Sequence, residues 1–364
     1  MPGIPHIHLR GTPSRMGESF GEQCRDKIVA FTEIRLACAV AFAKDHYPEG
    51  TVSIDDVRRI AASMVEVHRN YSPAVWDEFE GISRGAGVPV ADLIVTNGLT
   101  DLRDHLLPPR VRSCGADRHD GSHECTAIMV PSSCARNGPL VGQTWDMHAE
   151  ASDFIVVVHR RPDDRPATVG LTTTGCLCLI GLNEEGLAVG NTNLVPTDAG
   201  MGVNYLFTIT ESLACTSTEQ VAAVVRRTPR LSGHNFYAAD RGQVVNLECT
   251  SGCMARTDVT DRPFLHTNHY LDPRLAPLEL LRDISNSTWR LERIQAAFAD
   301  APMVPDLDWY WAKLRDVAQD CVPQGVEGVA TVAGVLMQPE EGLLHVGAGA
   351  PDVTTAESLT VGCP

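Results

Sequence analysis

The chain predicts an α+β protein, with helices gathered towards the front, strands behind them, and hairpins rather than crossovers between the strands. Three observations carry this. Over the first ~120 residues, apolar side chains recur at three-to-four spacing. From Cys125 onward, short apolar runs of strand length take over. The turns between them, such as Asn183-Glu184-Glu185-Gly186 and Pro339-Glu340-Glu341-Gly342, are of the hairpin kind.

The elements follow in order. A first helix starts at Thr12-Pro13-Ser14 and carries Met16, Phe20, Cys24, Ile28, Phe31 and Ile34-Arg35-Leu36. A second starts near Ser53, with Asp55 and Asp56 in its first turn, and carries Val57, Ile60, Met64 and Val67. A third follows Ser72-Pro73, with Val75, Trp76, Phe79 and Ile82, and ends at Gly85-Ala86-Gly87; Val90-Ala91-Asp92-Leu93 restarts a short helix. Residues 110–124 are polar and irregular and read as an exposed loop. Strands are expected over 125–131, 139–145, 154–160, 167–173, 176–182 and 187–192, and helices over 203–215 and 217–227. Three strands within 234–257, another at Phe264 to Asn268, a long helix over 277–298 and two closing strands at 329–337 and 342–347 complete the chain. No internal repeat is present.

Bulk properties narrow the function. At 364 residues and 43% hydrophobic content, the chain can bury one large core or two medium ones. Lys and Arg number 30 against 46 Asp and Glu, giving a net charge of −16, which argues against a nucleic-acid or anionic-membrane surface. Arg160-Arg161 and Arg226-Arg227 are only pairs. Met1 to His6 lack a secretory pattern, and no apolar stretch approaches the roughly 18 residues of a membrane span. The expectation is a soluble cytoplasmic protein. In that setting the twelve cysteines do not form a disulfide framework. Cys176-x-Cys178 and Cys249-x3-Cys253 lack the two-residue gap of zinc knuckles. The first pair is expected on a strand, both thiols facing one side as small core residues. No metal or cofactor is expected.

One cysteine stands apart. A cysteine opening a buried strand is most often an inert small hydrophobe. Cys125, however, follows a polar loop that exposes the preceding peptide bond. Its strand forms a hairpin with the next, which brings Asp146 to the same end of the sheet, and that carboxylate emerges behind Trp145 from an apolar strand.

The series Cys125-Thr126, Gly142-Gln143-Thr144-Trp145-Asp146 and His266-Thr267-Asn268-His269 resembles that of the acyl-coenzyme A:6-aminopenicillanic-acid acyltransferase family, self-processing cysteine members of the N-terminal-nucleophile hydrolases. Gly11-Thr12-Pro13 with Gly17 and Gly21, Glu80 to Ala86, Gly181-Leu182-Asn183, Gly186 to Val189 and Ala330-Thr331 agree with it in order. The resemblance implies an αββα four-layer sandwich and autocatalytic cleavage between Glu124 and Cys125. Fragments 1–124 and 125–364 then stay associated in one integrated fold, as a monomer or a homo-oligomer. It implies Cys125 as nucleophile and Asp146 as the group orienting its amine or thiol, with Asn268 as the amide facing the oxyanion. The freed α-amine, with a reference pKa of about 7.7–8.0, serves as base. Asn191, Thr126 and His266 are secondary substrate-binding candidates; His266 and His269 also read as structural histidines holding the Asn268 turn.

Two positions depart from the pattern. Glu124 stands where self-cutting members often carry glycine. The family's late arginine has no counterpart at Cys321-Val322-Pro323, the nearest preceding arginine being Arg315. The leading functional expectation is an amidohydrolase acting on a small N-acyl compound through an acyl-enzyme on Cys125. The alternative is an acyltransferase that takes its acyl group from a donor such as a coenzyme A thioester, although no basic, glycine-rich phosphate cradle is recognisable. A third reading is a non-enzymatic metal or redox protein built on the cysteines.

Overall fold

The computed structural model describes residues 3–46, 52–106, 125–280, 285–318, 328–352 and 356–361. The expected loop over 110–124, including Glu124, lies outside the described residues, as does 319–327.

The front third is helical after one strand, β1 (His6–Gly11): α1 (Pro13–Gln23), α2 (Arg25–His46), α3 (Ile54–Ser63), α4 (Val65–Tyr71), α5 (Pro73–Ala86), α6 (Val90–Asn97) and α7 (Leu99–Leu106). The starts read from sequence are capped as expected. Thr12 and Ser72 accept from the backbone of α1 and α5, each with proline in the first turn, and Ser53 forms a reciprocal capping box with Asp56. Gly87, in the left-handed conformation at φ 71°, ends α5.

The glycines of α1 and α5 mark a seam. A Cβ on Gly17 would run into Glu78 O and one on Gly85 into Glu18 O, while Gly21 and Gly81 are blocked in the same way. The two helices therefore touch backbone to backbone, a distance that only hydrogen side chains permit.

The strands build two sheets. β4 (Ile155–Pro162), β5 (Thr168–Thr173), β6 (Ile180–Asn183), β7 (Ala188–Leu194), β8 (Gly233–Ala239), β9 (Val244–Cys249) and β10 (Met254–Asp258) run in spatial sequence, with β1 added parallel to β4 at the edge. The second sheet has the order β11 (Phe264–His266), β2 (Thr126–Val130), β3 (Leu140–His148), β12 (Val329–Gln338), β13 (Leu343–Ala348) and β14 (Glu357–Thr360), antiparallel throughout. The sheets face each other, β2 and β3 against β7 to β9. Helices cover both outer faces: α1, α8 (Tyr205–Ser212) and α9 (Thr218–Arg227) on the first, α10 (Ser287–Ala299) and α11 (Leu307–Ala318) on the second. This is the four-layer αββα arrangement.

Strand β2 shows why its sequence is apolar throughout. Ala127 and Met129 point into the core between the sheets, whereas Ile128 and Val130 pack outward with Leu291, Ile294, Trp311 and Leu314 of α10 and α11. Both faces are buried, so polar alternation disappears.

Several expectations change. The N-terminal region is not wholly helical, because His6–Gly11 finds a backbone partner in β4, far along the chain. The second expected helix breaks at Met64 into α3 and α4. Cys176 and Cys178 are buried but precede β6 rather than lying in it. The long helix expected over 277–298 begins only at Ser287, after a 3-10 turn at Ala276–Leu278. No helix of the described residues is long and apolar enough to cross a membrane.

Candidate active site

Register brings the first groups together. Thr126 pairs with Thr144 across β2 and β3, so Cys125, immediately before β2, lies beside the Trp145-Asp146 end of β3. Both are buried, Cys125 at 4% and Asp146 at 1% exposure. On the far side Thr331 of β12 pairs with Asp146, and the register breaks between Thr331 and Ala333. A bulge at that place re-aims the strand beside the carboxylate. Thr144 Oγ1 accepts from Thr126 N at 3.1 Å and donates to Asp146 Oδ2 at 3.5 Å.

The third group arrives from β11. His266 pairs with Ala127, so the chain leaving β11 passes Cys125. Asn268 Oδ1 accepts from Cys125 N at 2.6 Å, and Asn268 Nδ2 donates to Asn193 O at 3.0 Å. The backbone of this turn is tied to the start of α10: Asn268 N donates to Ser287 Oγ at 2.7 Å, and Ser287 Oγ donates to Thr267 Oγ1 at 2.9 Å.

One helical turn beyond Ser287, the wholly buried Arg290 reaches Cys125. Nη1 donates to Cys125 O at 2.6 Å and to Thr126 Oγ1 at 3.0 Å, and Nη2 donates to Asn268 Oδ1 at 3.0 Å. Nε donates to Asn286 Oδ1 at 2.7 Å. Arg315, named from sequence as the nearest arginine to the family position, lies on α11 and does not line the cysteine cavity.

That cavity is small and lined by Thr100, Cys125, Trp145, Asp146, Met147, Leu179, Asn191, Asn193, Tyr205 and His234. Asp101 Oδ1 accepts from His234 Nε2 at 2.6 Å, which leaves His234 Nδ1 to accept from Asn191 Nδ2 at 3.2 Å. Tyr205 stacks on His234 at 4.4 Å, and burial, then the Asp101 charge, push its phenol up so that it stays neutral. Both side-chain atoms of Asn193, and Oδ1 of Asn191, are buried without a hydrogen-bond partner. A buried amide of that kind normally has a partner, and its absence marks a place for a ligand.

A second cavity adjoins the first through Thr100, Trp145, Met147, Leu179 and Tyr205, and contains Arg35. Arg35 is 4% exposed; its guanidinium lies over the Phe31 ring at 4.5 Å and touches Met147 Sδ at 3.7 Å, with Nε unpaired. Among the described residues no carboxylate lies within ion-pair distance of it. Burial lowers its pKa, opposed by nearby Cys176 and Tyr205.

Of the residues singled out from sequence, Cys125, Asp146, Asn268 and Asn191 come together here. Thr126 is fully buried, its hydroxyl taken by Arg290. His266 is instead held between Glu248 at 3.1 Å and Thr192 at 3.2 Å and does not line the cavity, because β11 turns its ring towards β9. Arg290, Arg35, Asn193, His234 and Asp101 were not among the candidate site residues, although Asn193 stands beside Asn191 in the same asparagine pair. Arg35 left a signal: it occupies a core position of the helix, four residues after Phe31, where an apolar side chain belongs.

Comparison with known proteins agrees with the motif series. A variant of conjugated bile acid hydrolase from Clostridium perfringens superposes with a TM-score of 0.48 at 15% identity, covering 65% of this chain and 92% of that one. Penicillin V acylase from Agrobacterium tumefaciens gives 0.44 at 14% identity, covering 62% and 83%. In sequence, the acyl-coenzyme A:6-aminopenicillanic-acid-acyltransferase 40 kDa form of Emericella nidulans is 23% identical over 304 residues, 80% of this chain and 78% of the relative. The family model for acyl-coenzyme A:6-aminopenicillanic acid acyl-transferase matches residues 134–349, well over half of the chain, and the protein belongs to that family of enzymes.

Proposed function

We propose that the protein is a self-processing cysteine amidohydrolase of small N-acyl compounds. The observation that carries this is the backbone nitrogen of Cys125, held at 2.6 Å by Asn268 Oδ1 in a buried cavity shared with Asp146. In processing, Cys125 Sγ attacks the carbonyl carbon of Glu124. The C–S bond forms, the C–N bond breaks, and the nitrogen takes the thiol proton. Water then cleaves the thioester, leaving a carboxylate on Glu124 and restoring the Cys125 thiol beside its already freed α-amine.

In the processed enzyme that amine accepts the thiol proton, Sγ attacks the substrate amide, and the proton passes to the leaving amine. Asn268 holds the amine through Oδ1. Arg290, bonded to the same oxygen, is a fixed positive charge that disfavours the ammonium form and keeps the base neutral near pH 7. Asp146 orients the nucleophile from β3. Asn268 Nδ2 donates one of its two hydrogens to Asn193 O, and the unpaired Asn193 amide lines the cavity beside Cys125, so we assign Asn193 as an oxyanion donor alongside Asn268. Asn193→Ala is expected to lower kcat by about 10²–10³-fold with little change in KM, measured by steady-state kinetics.

Arg35 points to the substrate's other end. A buried guanidinium without an acidic partner favours a substrate bearing a carboxylate at that distance from the amide. The test incubates the purified protein with N-acyl amines and N-acyl amino acids, with and without an amine acceptor, and follows products by mass spectrometry. Acceptor-independent release of free acid, faster for the carboxylate-bearing compounds, is expected. Turnover strictly dependent on an acceptor overturns hydrolysis in favour of acyl transfer, the reading that the family's name favours, with a coenzyme A thioester as one donor to include.

A further inference from the structure

The cysteines do not gather into a metal-type cluster among the described residues, but three histidines do. His6 and His8 are two residues apart on β1 and share one face of it. β1 runs parallel to β4, and His8 pairs with His159. One ring nitrogen from each of the three lies within 4.8 Å of the others.

The geometry within the cluster is that of ligands rather than of chance neighbours. His6 Nδ1 and His159 Nε2 stand 3.2 Å apart. Two nitrogens at about 2.0–2.1 Å from a tetrahedral ion are separated by about 3.4 Å. The other nitrogen of His6 is held by Glu357 Oε2 at 2.9 Å. A carboxylate accepting from Nε2 fixes the tautomer and turns the Nδ1 lone pair towards His159, as outer carboxylates do for metal-bound histidines. His8 is exposed and stacks on His159 at 4.5 Å with a 10° tilt, so its ring can turn out of the stack to present a nitrogen. A hydrogen bond between His6 and His159 alone accounts for two of the rings and leaves His8 unexplained.

We propose that His6, His8 and His159 bind a divalent metal of borderline softness, zinc in the first place, with Glu357 as the residue that orients His6. Three imidazoles and an open position suit zinc, nickel or copper rather than magnesium or calcium. The placement gives the ion a structural consequence. His6 and His8 lie on β1 at the edge of the eight-stranded sheet, and Glu357 lies on β14 at the edge of the six-stranded one. The ion thus clasps β1 to β4 within the eight-stranded sheet and reaches the other sheet through the His6–Glu357 bond. It also joins residues on either side of the 124–125 bond, so it secures the front segment to the rest if the proposed processing occurs. The binding itself does not depend on the hydrolase reading.

The experiment uses the full chain stripped with chelator, then dialysed against zinc chloride and analysed for bound metal. Wild type is compared with His8→Ala and Glu357→Gln. We expect one zinc per chain that His8→Ala loses, with an affinity drop of at least ~100-fold, and a loss of about 10–100-fold in Glu357→Gln. Cobalt substituted for zinc should show the visible bands of a nitrogen-rich, low-coordinate site in wild type alone. The thermal midpoint should rise with zinc in wild type and stay fixed in His8→Ala. Equal zinc in wild type and His8→Ala, or no bound zinc in either, overturns the site. Bound zinc without any rise in midpoint overturns the clasp.

Discussion

Cys125→Ala is expected to yield a single full-length polypeptide and no turnover. In the proposed mechanism its sulfur is the atom that both self-cleavage and acyl transfer use, so one substitution removes two activities. Wild type should resolve on a denaturing gel into fragments 1–124 and 125–364, and intact-mass measurement should place the cut before Cys125. The variant should lose at least ~10⁴-fold in kcat, the scale on which nucleophile deletions fall. The lost sulfur leaves only a small void, so the melting temperature should change little, and loss of activity through unfolding is thereby distinguished. A variant that still turns over N-acyl substrate removes Cys125 from the mechanism. A wild type that is active yet uncut keeps the thiol but removes the amine base, because a peptide nitrogen cannot take a proton.

Arg290→Met carries the second large effect, and it acts on stability and chemistry together. The guanidinium donates to the buried Cys125 O, Thr126 Oγ1 and Asn268 Oδ1 and to the half-buried Asn286 Oδ1. Methionine fills most of the volume but donates to none of them, and each buried acceptor left unpaired costs about 1–3 kcal/mol. With partial relaxation, a loss of about 3 kcal/mol is expected, seen by denaturant unfolding. The chemical effect has a defined sign. In the proposed processed enzyme, removing a positive charge beside the Cys125 nitrogen raises the pKa of its α-amine, which must be neutral to act as base. The acid limb of kcat/KM against pH should therefore move to higher pH. If the limb stays where it is in wild type while stability falls, Arg290 is a structural strut and its charge is not used.

Much of this site was legible because hairpin register is a local property. Cys125 and Asp146 lie on adjacent strands joined by a short connection, so pattern alone brings them together. Asn268 was found through its motif, since nothing in a strand-end asparagine distinguishes it from a turn residue. What escaped depends on long-range packing. β1 pairs with a strand some 150 residues later, and no local pattern encodes a partner that distant. Arg290 sits in a helix where arginine is an ordinary surface residue; only the docking of α10 over β11 makes it internal. Asn193 and His234 are likewise polar residues on strands buried by the second sheet. Arg35 was the exception, visible as a charge on an apolar stripe. The role expected for Asn268 could not be refined from sequence, because it turns on which amide atom faces the Asn193 carbonyl.

The knot between Ser287 and the Asn268 turn also sets a timetable. Arg290 follows Cys125 by 165 residues, and Asn268 follows it by 143. At a synthesis rate of roughly 5–20 residues per second, the cysteine leaves the ribosome about seven to thirty-three seconds before the groups that grip its backbone. Throughout that interval the thiol has neither its amide holder nor its guanidinium. If the proposed cut at the 124–125 bond needs these holders, it awaits the docking of α10, and a nascent chain is then protected from severing itself before the groups that grip Cys125 have been made.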